Sequence, residues 1–243
     1  MLAVYLKELN AFLSSVTGWL ALIVFLLVVG LFVWIFPDTS VLEYGYATLD
    51  GLFTTAPWVF LFLIPAITMR SFSEELSSGT FELLITKPLK DTEIILGKYL
   101  AALTLVFFAL LPTAIYYLSV YRLGSPAGNI DNGATAGSYI GLLLLASAFI
   151  AIGIFSSSVT RSQIVAFVLA VFLCFFFFIA FDYLSKLNIF YAKADDVVEL
   201  IGINAHYDSI SRGVVDTRDI VYFLTFNALF LLLTHLVLQS RKW

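Results

Sequence analysis

Six apolar stretches recur along the chain, at 19–36, 52–69, 99–121, 139–156, 164–181 and 220–238, and none contains an Asp, Glu, Lys or Arg. At about 1.5 Å rise per residue, each makes a helix long enough to cross a hydrocarbon layer of about 30 Å. Lipid offers no water to unpaired amides, so such runs must close their hydrogen bonds internally, as α-helices. The short in–out alternation of a membrane β-barrel is absent. The pattern predicts an all-α polytopic membrane protein, one transmembrane domain over 1–243 with six transmembrane helices.

Outside the spans the periodicity changes. Leu2, Leu6, Leu9, Leu13 and Val16 recur at three- and four-residue spacing with Lys7, Glu8, Asn10 and Ser14 elsewhere on the wheel. Residues 1–18 therefore read as an amphipathic helix lying along the inner membrane interface, with Leu6, Lys7, Glu8 and Leu9 at its centre. Trp19, Trp34, Tyr99, Tyr121, Tyr139, Tyr183 and Tyr222 mark span edges at headgroup depth. Pro57, Pro65 and Pro112 remove helix hydrogen bonds inside spans two and three and predict kinks, with the freed carbonyls met by neighbouring helices or hydroxyls.

Two connections are too long and too patterned for plain turns. In 70–98, Ser71 followed by Glu74 has the form of a capping box, so a short helix can start there. Gly79 can end it in a left-handed conformation, Leu83, Leu84 and Ile85 can pack back toward the membrane, and Pro88 stops the element before Asp91 opens span three. The result is a compact helical knob under the bilayer; the alternative is a solvated loop with ordinary caps. The segment 182–219 mixes apolar residues with acids and predicts short interfacial or re-entrant helices.

Composition agrees with the pattern: 61% of residues are hydrophobic and mean hydropathy is +0.99, beyond what a water-soluble core uses. Lys7, Arg70, Lys87, Lys90, Lys98, Arg161, Arg241 and Lys242 fall on the side that holds both termini, against Arg122, Lys186, Lys193, Arg212 and Arg218 on the other. The positive-inside rule then places both ends in the cytoplasm. The first span is too long for a signal-peptide core and no small-x-small cleavage site follows it, so it is expected to be retained. The net charge of −4 implies no basic nucleic-acid surface.

Catalytic chemistry finds little to build on. Gly97-Lys98 is followed by Tyr99 and lacks the earlier glycine of a phosphate-binding loop, so no ATP, Mg or other cofactor is expected in this chain. His206 and His235 lie in different segments without cysteine partners or a His-Glu-x-x-His helix, and no catalytic or metal site is expected. Asp182 has no second intramembrane aspartate, and the lone Cys174 reads as a packing or lipid-facing thiol. Proton and ion carriers accept the cost of mid-membrane charges; these spans carry none, so their energy should arrive from outside. For Asn227 a helix–helix hydrogen bond is expected, and for His235 an interfacial position.

At the knob the chain resembles the permeases of ABC-2 type ABC transporters, which carry Glu-x-x-x-Gly-Thr-x-Glu-x-Leu and a following Pro between spans two and three. Glu75, Gly79, Thr80, Glu82, Leu84 and Pro88 match in order, Arg212-Gly213-Val214-Val215-Asp216-Thr217-Arg218-Asp219 matches before span six, and Lys7-Glu8-Leu9 matches in the first helix. Within the family the sequence is most similar to the permease subunit of the gliding-motility-associated transporter of Bacteroidetes.

The resemblance implies a membrane half of an ATP-driven complex. A separate ABC ATPase subunit, holding ATP and Mg, would dock on the knob as a coupling helix, through Glu74, Glu75, Gly79, Thr80, Glu82 and Pro88. The first helix would be a membrane-bound elbow against lipid. Further partners would be a second permease copy and an auxiliary gliding subunit with a large extracytoplasmic domain. Two functions stay open: export of a lipid-like, polymeric or protein-associated substrate, and mechanotransmission to an extracytoplasmic partner without transport.

Overall fold

The computed structural model describes residues 1–37, 39–81, 90–186 and 198–240. In chain order, α1 is Leu2–Leu13, α2 Val16–Trp34, α3 Val41–Tyr44, α4 Asp50–Thr68 and α5 Arg70–Ser77. Then come α6 (Asp91–Leu110), a 3₁₀ turn (Leu111–Thr113), α7 (Ala114–Leu123) and α8 (Asn132–Val159). The chain continues with α9 (Gln163–Phe175), a π-helical turn (Phe176–Ala180), α10 (Phe181–Ser185), α11 (Ile203–Ser211) and α12 (Thr217–Ser240). There is no β-strand among the described residues.

Among the described residues, six helical runs are long and apolar enough to cross a membrane: Val16–Trp34, Asp50–Ser77, Asp91–Leu123, Asn132–Val159, Gln163–Ser185 and Thr217–Ser240. α8 is the hub and touches α4, α5, α6, α9, α11 and α12. Its sequence explains why: Ala146, Ala148, Ala151, Gly153 and Ser156 leave little side chain on the helix, so neighbours approach its backbone closely. A Cβ on Gly153 would sit 2.0 Å from the Thr68 hydroxyl of α4. α2, α9 and α12 lie outside this core and turn Leu20, Val24, Val168, Phe172, Leu229 and Leu232 outward.

The prolines act unequally. Pro112 falls in the 3₁₀ turn that divides span three, whereas α4 runs unbroken through Pro57 and Pro65. Pro57 has no N–H for the Phe53 carbonyl four residues back, and the Tyr207 hydroxyl of α11 donates to that carbonyl at 2.5 Å.

Span two ends differently from the capping-box expectation. No new helix starts at Ser71: the helix runs on to Ser77 with a break at Met69, and Ser71 lies inside α5. Ser157 of α8 serves the break from outside. Its hydroxyl accepts from the Phe72 and Ser73 amides at 2.8 and 3.1 Å and donates to the Met69 carbonyl at 3.0 Å. Helical geometry therefore carries the chain straight out of span two into the knob.

Candidate functional site

Four charged side chains meet where α1, α5 and the start of α6 converge. Lys98, 2% exposed, points its ammonium at Glu8 (2.8 Å), Glu75 (3.0 Å) and the Ser71 carbonyl (2.6 Å). Lys7 reaches the same Glu75 oxygen at 3.1 Å and Glu8 at 3.4 Å. The cluster is neutral overall, and Lys98 uses all three of its donors. It also lies 5.1 Å from the centre of the Phe72 ring, within cation–π range. Glu75 Oε2 is buried with no hydrogen-bond partner among the described residues. Burial lowers the Lys7 pKa, but the bond to Glu75 and the charges of Glu75 and Glu8 outweigh it, so the net shift is upward.

Lys7, Glu8 and Glu75 belong to motifs legible in the sequence, whereas Lys98, at the end of the 70–98 connection, lies within α6. The missed signal was register: Ile94, Lys98, Ala101 and Leu105 share one face of α6, and all four are buried. A buried ammonium needs acceptors around it, and the carboxylates of α1 and α5 supply them.

The rest of the knob splits into two faces. Phe72, Ser73 and Glu75 turn inward, while Glu74, Ser77, Ser78, Gly79 and Thr80 are exposed. Gly79 has φ +72°, as the turn at the end of α5 requires, and a Cβ there would meet nothing within 4 Å. Of the residues implied to dock the ATPase, Glu74, Gly79 and Thr80 form one exposed surface and Glu75 is drawn into the ionic cluster. Glu82, Leu84 and Pro88 lie outside the described residues.

α1 presents its faces accordingly. Val4 packs on Gly97, where a Cβ would lie 3.0 Å away, and Tyr5 meets Thr104 at 3.2 Å, while Leu2 and Leu6 face outward and Leu9 is half-buried. The helix thus grips span three with one side and leaves an apolar side open.

On the opposite face of the bundle, the motif before span six divides. Asp216 accepts from the Arg218 amide at 3.0 Å at the head of α12, and this bond holds its pKa below the ordinary carboxylate value. Arg212 pairs with Asp208 on the surface. Gly213, at φ +85°, lies so close to α8 that a Cβ would be 2.2 Å from the Ala134 Cα. Asp219 is buried against His206.

A cleft of about 1350 Å³ runs between α2 and α4. Its middle is walled by Val24, Val28, Trp58 and Phe62, and one end reaches Arg70, Glu74 and the ionic cluster. Among the described residues, no group of three or more His, Cys, Asp or Glu is placed to hold a metal ion. No curated protein matches the chain. The profile of a family described as "ABC-2 family transporter protein" matches residues 2–240, and the chain belongs to that family.

Proposed function

We propose, with membership of the ABC-2 transporter family as the premise, that this chain is the transmembrane permease subunit of an ATP-driven complex in the bacterial cytoplasmic membrane. A separate ABC ATPase subunit, with its ATP and Mg, docks on the exposed end of the knob at Glu74, Gly79 and Thr80. The termini and the knob face the cytoplasm, and a second copy of the chain supplies the other membrane half.

The observation that carries this reading is the knob's connection. α5 continues span two across the Met69 break, which Ser157 braces, and is tied to α1 and α6 through one buried lysine. A push on Glu74 or Thr80 therefore moves spans two and three and the elbow together as a rigid body. The cleft between α2 and α4 supports export of an amphiphile or contact with the second copy. The packing of α11 on α8 supports the alternative, in which the same rocking moves an auxiliary extracytoplasmic subunit of a gliding or secretion machine.

The test is co-purification of the native complex followed by Gly79→Val in its permease. The positive φ disfavours a β-branched residue, while the open space at Gly79 adds no clash. ATP hydrolysis should persist but lose its dependence on the permease; hydrolysis stimulated as in the wild type would remove the knob from the coupling path. Nucleotide-dependent uptake of labelled lipid by inverted vesicles would select export over mechanotransmission.

A further inference from the structure

The cleft between α2 and α4 is apolar through its middle and carries two unpaired charges at the end beside the knob. On one wall Trp58, Phe62, Ala66 and Arg70 follow one another at four-residue spacing along span two, and all four are exposed. On the other wall Leu20 and Val24 of α2 are exposed at the same spacing. The buried rings of Phe25 and Phe60 stack at 5.2 Å and hold the two helices together. The cleft is therefore a furrow between packed helices, open along its side to lipid.

Three cations line the charged end: Lys7, Arg70 and Lys98. Lys7 and Lys98 are held by Glu8 and Glu75. Arg70 makes only a 3.5 Å bond to the Thr17 hydroxyl of α2. Among the described residues, no ion pair involves Arg70 or Glu74, which lies one turn beyond it and also lines the cleft. The guanidinium thus keeps most of its N–H donors free, in the fork that fits phosphate oxygens two at a time. Going outward from the span, the mouth presents first a cation and then an anion.

A phospholipid with an amine headgroup carries the complementary order: acyl chains, then phosphate, then ammonium. The lengths agree as well. From Arg70 back to Trp58 the helix rises about 18 Å, and one leaflet of a hydrocarbon layer about 30 Å thick is about 15 Å deep. An acyl chain whose phosphate sits on Arg70 therefore runs past Ala66, where the side chain is small, and ends beside Phe62 and Trp58. The cations Lys7, Arg70 and Lys98 balance Glu8, Glu74 and Glu75, so a zwitterionic headgroup adds no net charge. An anionic headgroup would face Glu74 without a counter-charge of its own.

We infer that the cleft between α2 and α4 binds one phospholipid with a zwitterionic, amine-bearing headgroup, taken from the leaflet on the side of the termini. Its phosphate sits on Arg70, its ammonium beside Glu74 and one acyl chain along Ala66, Phe62 and Trp58. The binding needs neither nucleotide nor an ATPase subunit, so it stands apart from the permease reading.

Native mass spectrometry of the full chain in mild detergent, without nucleotide, tests it by counting the lipid retained during titration with palmitoyl-oleoyl-phosphatidylethanolamine. The wild type should take up one molecule and saturate. Phosphatidylglycerol of the same chains lacks the amine and diacylglycerol lacks the phosphate, and each should bind about tenfold more weakly, the loss of one charged hydrogen bond. Inorganic phosphate should not compete. Arg70→Gln changes an exposed side chain with one long bond and should weaken phosphatidylethanolamine by about tenfold. Ala66→Phe fills the furrow from an exposed position and should weaken all three lipids, whereas Arg161→Gln, an exposed cation outside the cleft, should change nothing. Diacylglycerol or phosphatidylglycerol held as tightly as phosphatidylethanolamine, wild-type affinity in Arg70→Gln or Ala66→Phe, or an equal loss in Arg161→Gln would overturn the site. So would a chain that stays free of lipid as a monomer or as a dimer; if Ala66→Phe does not fold, Arg70→Gln and the diacylglycerol comparison decide.

Discussion

Tyr207 donates a 2.5 Å hydrogen bond to the carbonyl of Phe53, the acceptor that Pro57 leaves without a helical donor. A helix on the face opposite the termini thereby completes the backbone of span two, and the two must pack together for either to be satisfied. Burial, with the Asp208 charge adding to it, pushes the Tyr207 hydroxyl far above the ordinary tyrosine range, so it remains a donor at every working pH.

Tyr207→Phe should therefore destabilise the chain by about 1–3 kcal/mol, the cost of an unmet buried acceptor. Equilibrium unfolding in mild detergent reads it. An unchanged midpoint would show that the Phe53 carbonyl is served another way.

Lys98→Met should be more severe, at about 3–5 kcal/mol, because it leaves Glu8 and Glu75 with Lys7 as their one shared cation and so one negative charge unbalanced in a largely buried cluster. Adding Glu75→Gln leaves Lys7 and Glu8 to balance each other, so the double variant should recover part of the loss. Strictly additive effects would argue that the two side chains do not interact.

Ser157→Ala removes one hydroxyl, taking the shared acceptor from the Phe72 and Ser73 amides, while the Met69 carbonyl keeps the Ser73 hydroxyl as a donor. A loss of about 1–3 kcal/mol is expected. Proteolysis should then cut first near the Met69 break; cleavage unchanged in site and rate would count against its role.

Gly79→Ala and Gly213→Ala separate conformation from packing. Both glycines have positive φ, which costs a side chain roughly 1–2 kcal/mol. Gly213 also abuts Ala134, so its variant should lose clearly more stability than the Gly79 variant. Equal losses would mean that α11 can shift away from α8 at little cost.

The ionic cluster carries a pH dependence confined to the alkaline range. The Lys7 pKa is raised, so its bonds to Glu75 and Glu8 contribute fully below the ordinary lysine value and are lost only as pH rises through the higher one. Hydrogen-exchange protection of the α1 amides, corrected for intrinsic exchange, should stay level across neutral pH and fall only above the ordinary lysine range; a fall near neutral pH would show that these bonds do not hold α1.

Much of this architecture is legible residue by residue. The six uncharged runs dictate six helices because lipid leaves the backbone no other way to pair, and Gly79 announces the left-handed turn it makes. Asn227 bonds Ser147 across helices at 2.8 Å, as a polar residue in a span must. The ionic cluster is half legible: Lys7, Glu8 and Glu75 belong to recognisable motifs, but Lys98 reads as the end of a connection because its buried face is defined only by the packing of α6. His206 and Asp219 each read as isolated.

The sequence by itself determined the six spans and their apolar character, since those depend on local spacing and on the solvent. Tertiary structure alone decided the partners: Tyr207 for Phe53, Ser157 for the break at Met69, Lys98 for Glu8 and Glu75. These pairs join residues from 23 to 154 positions apart. Local periodicity sets which way a side chain faces on its own helix, whereas which distant group it meets is fixed only when the helices pack.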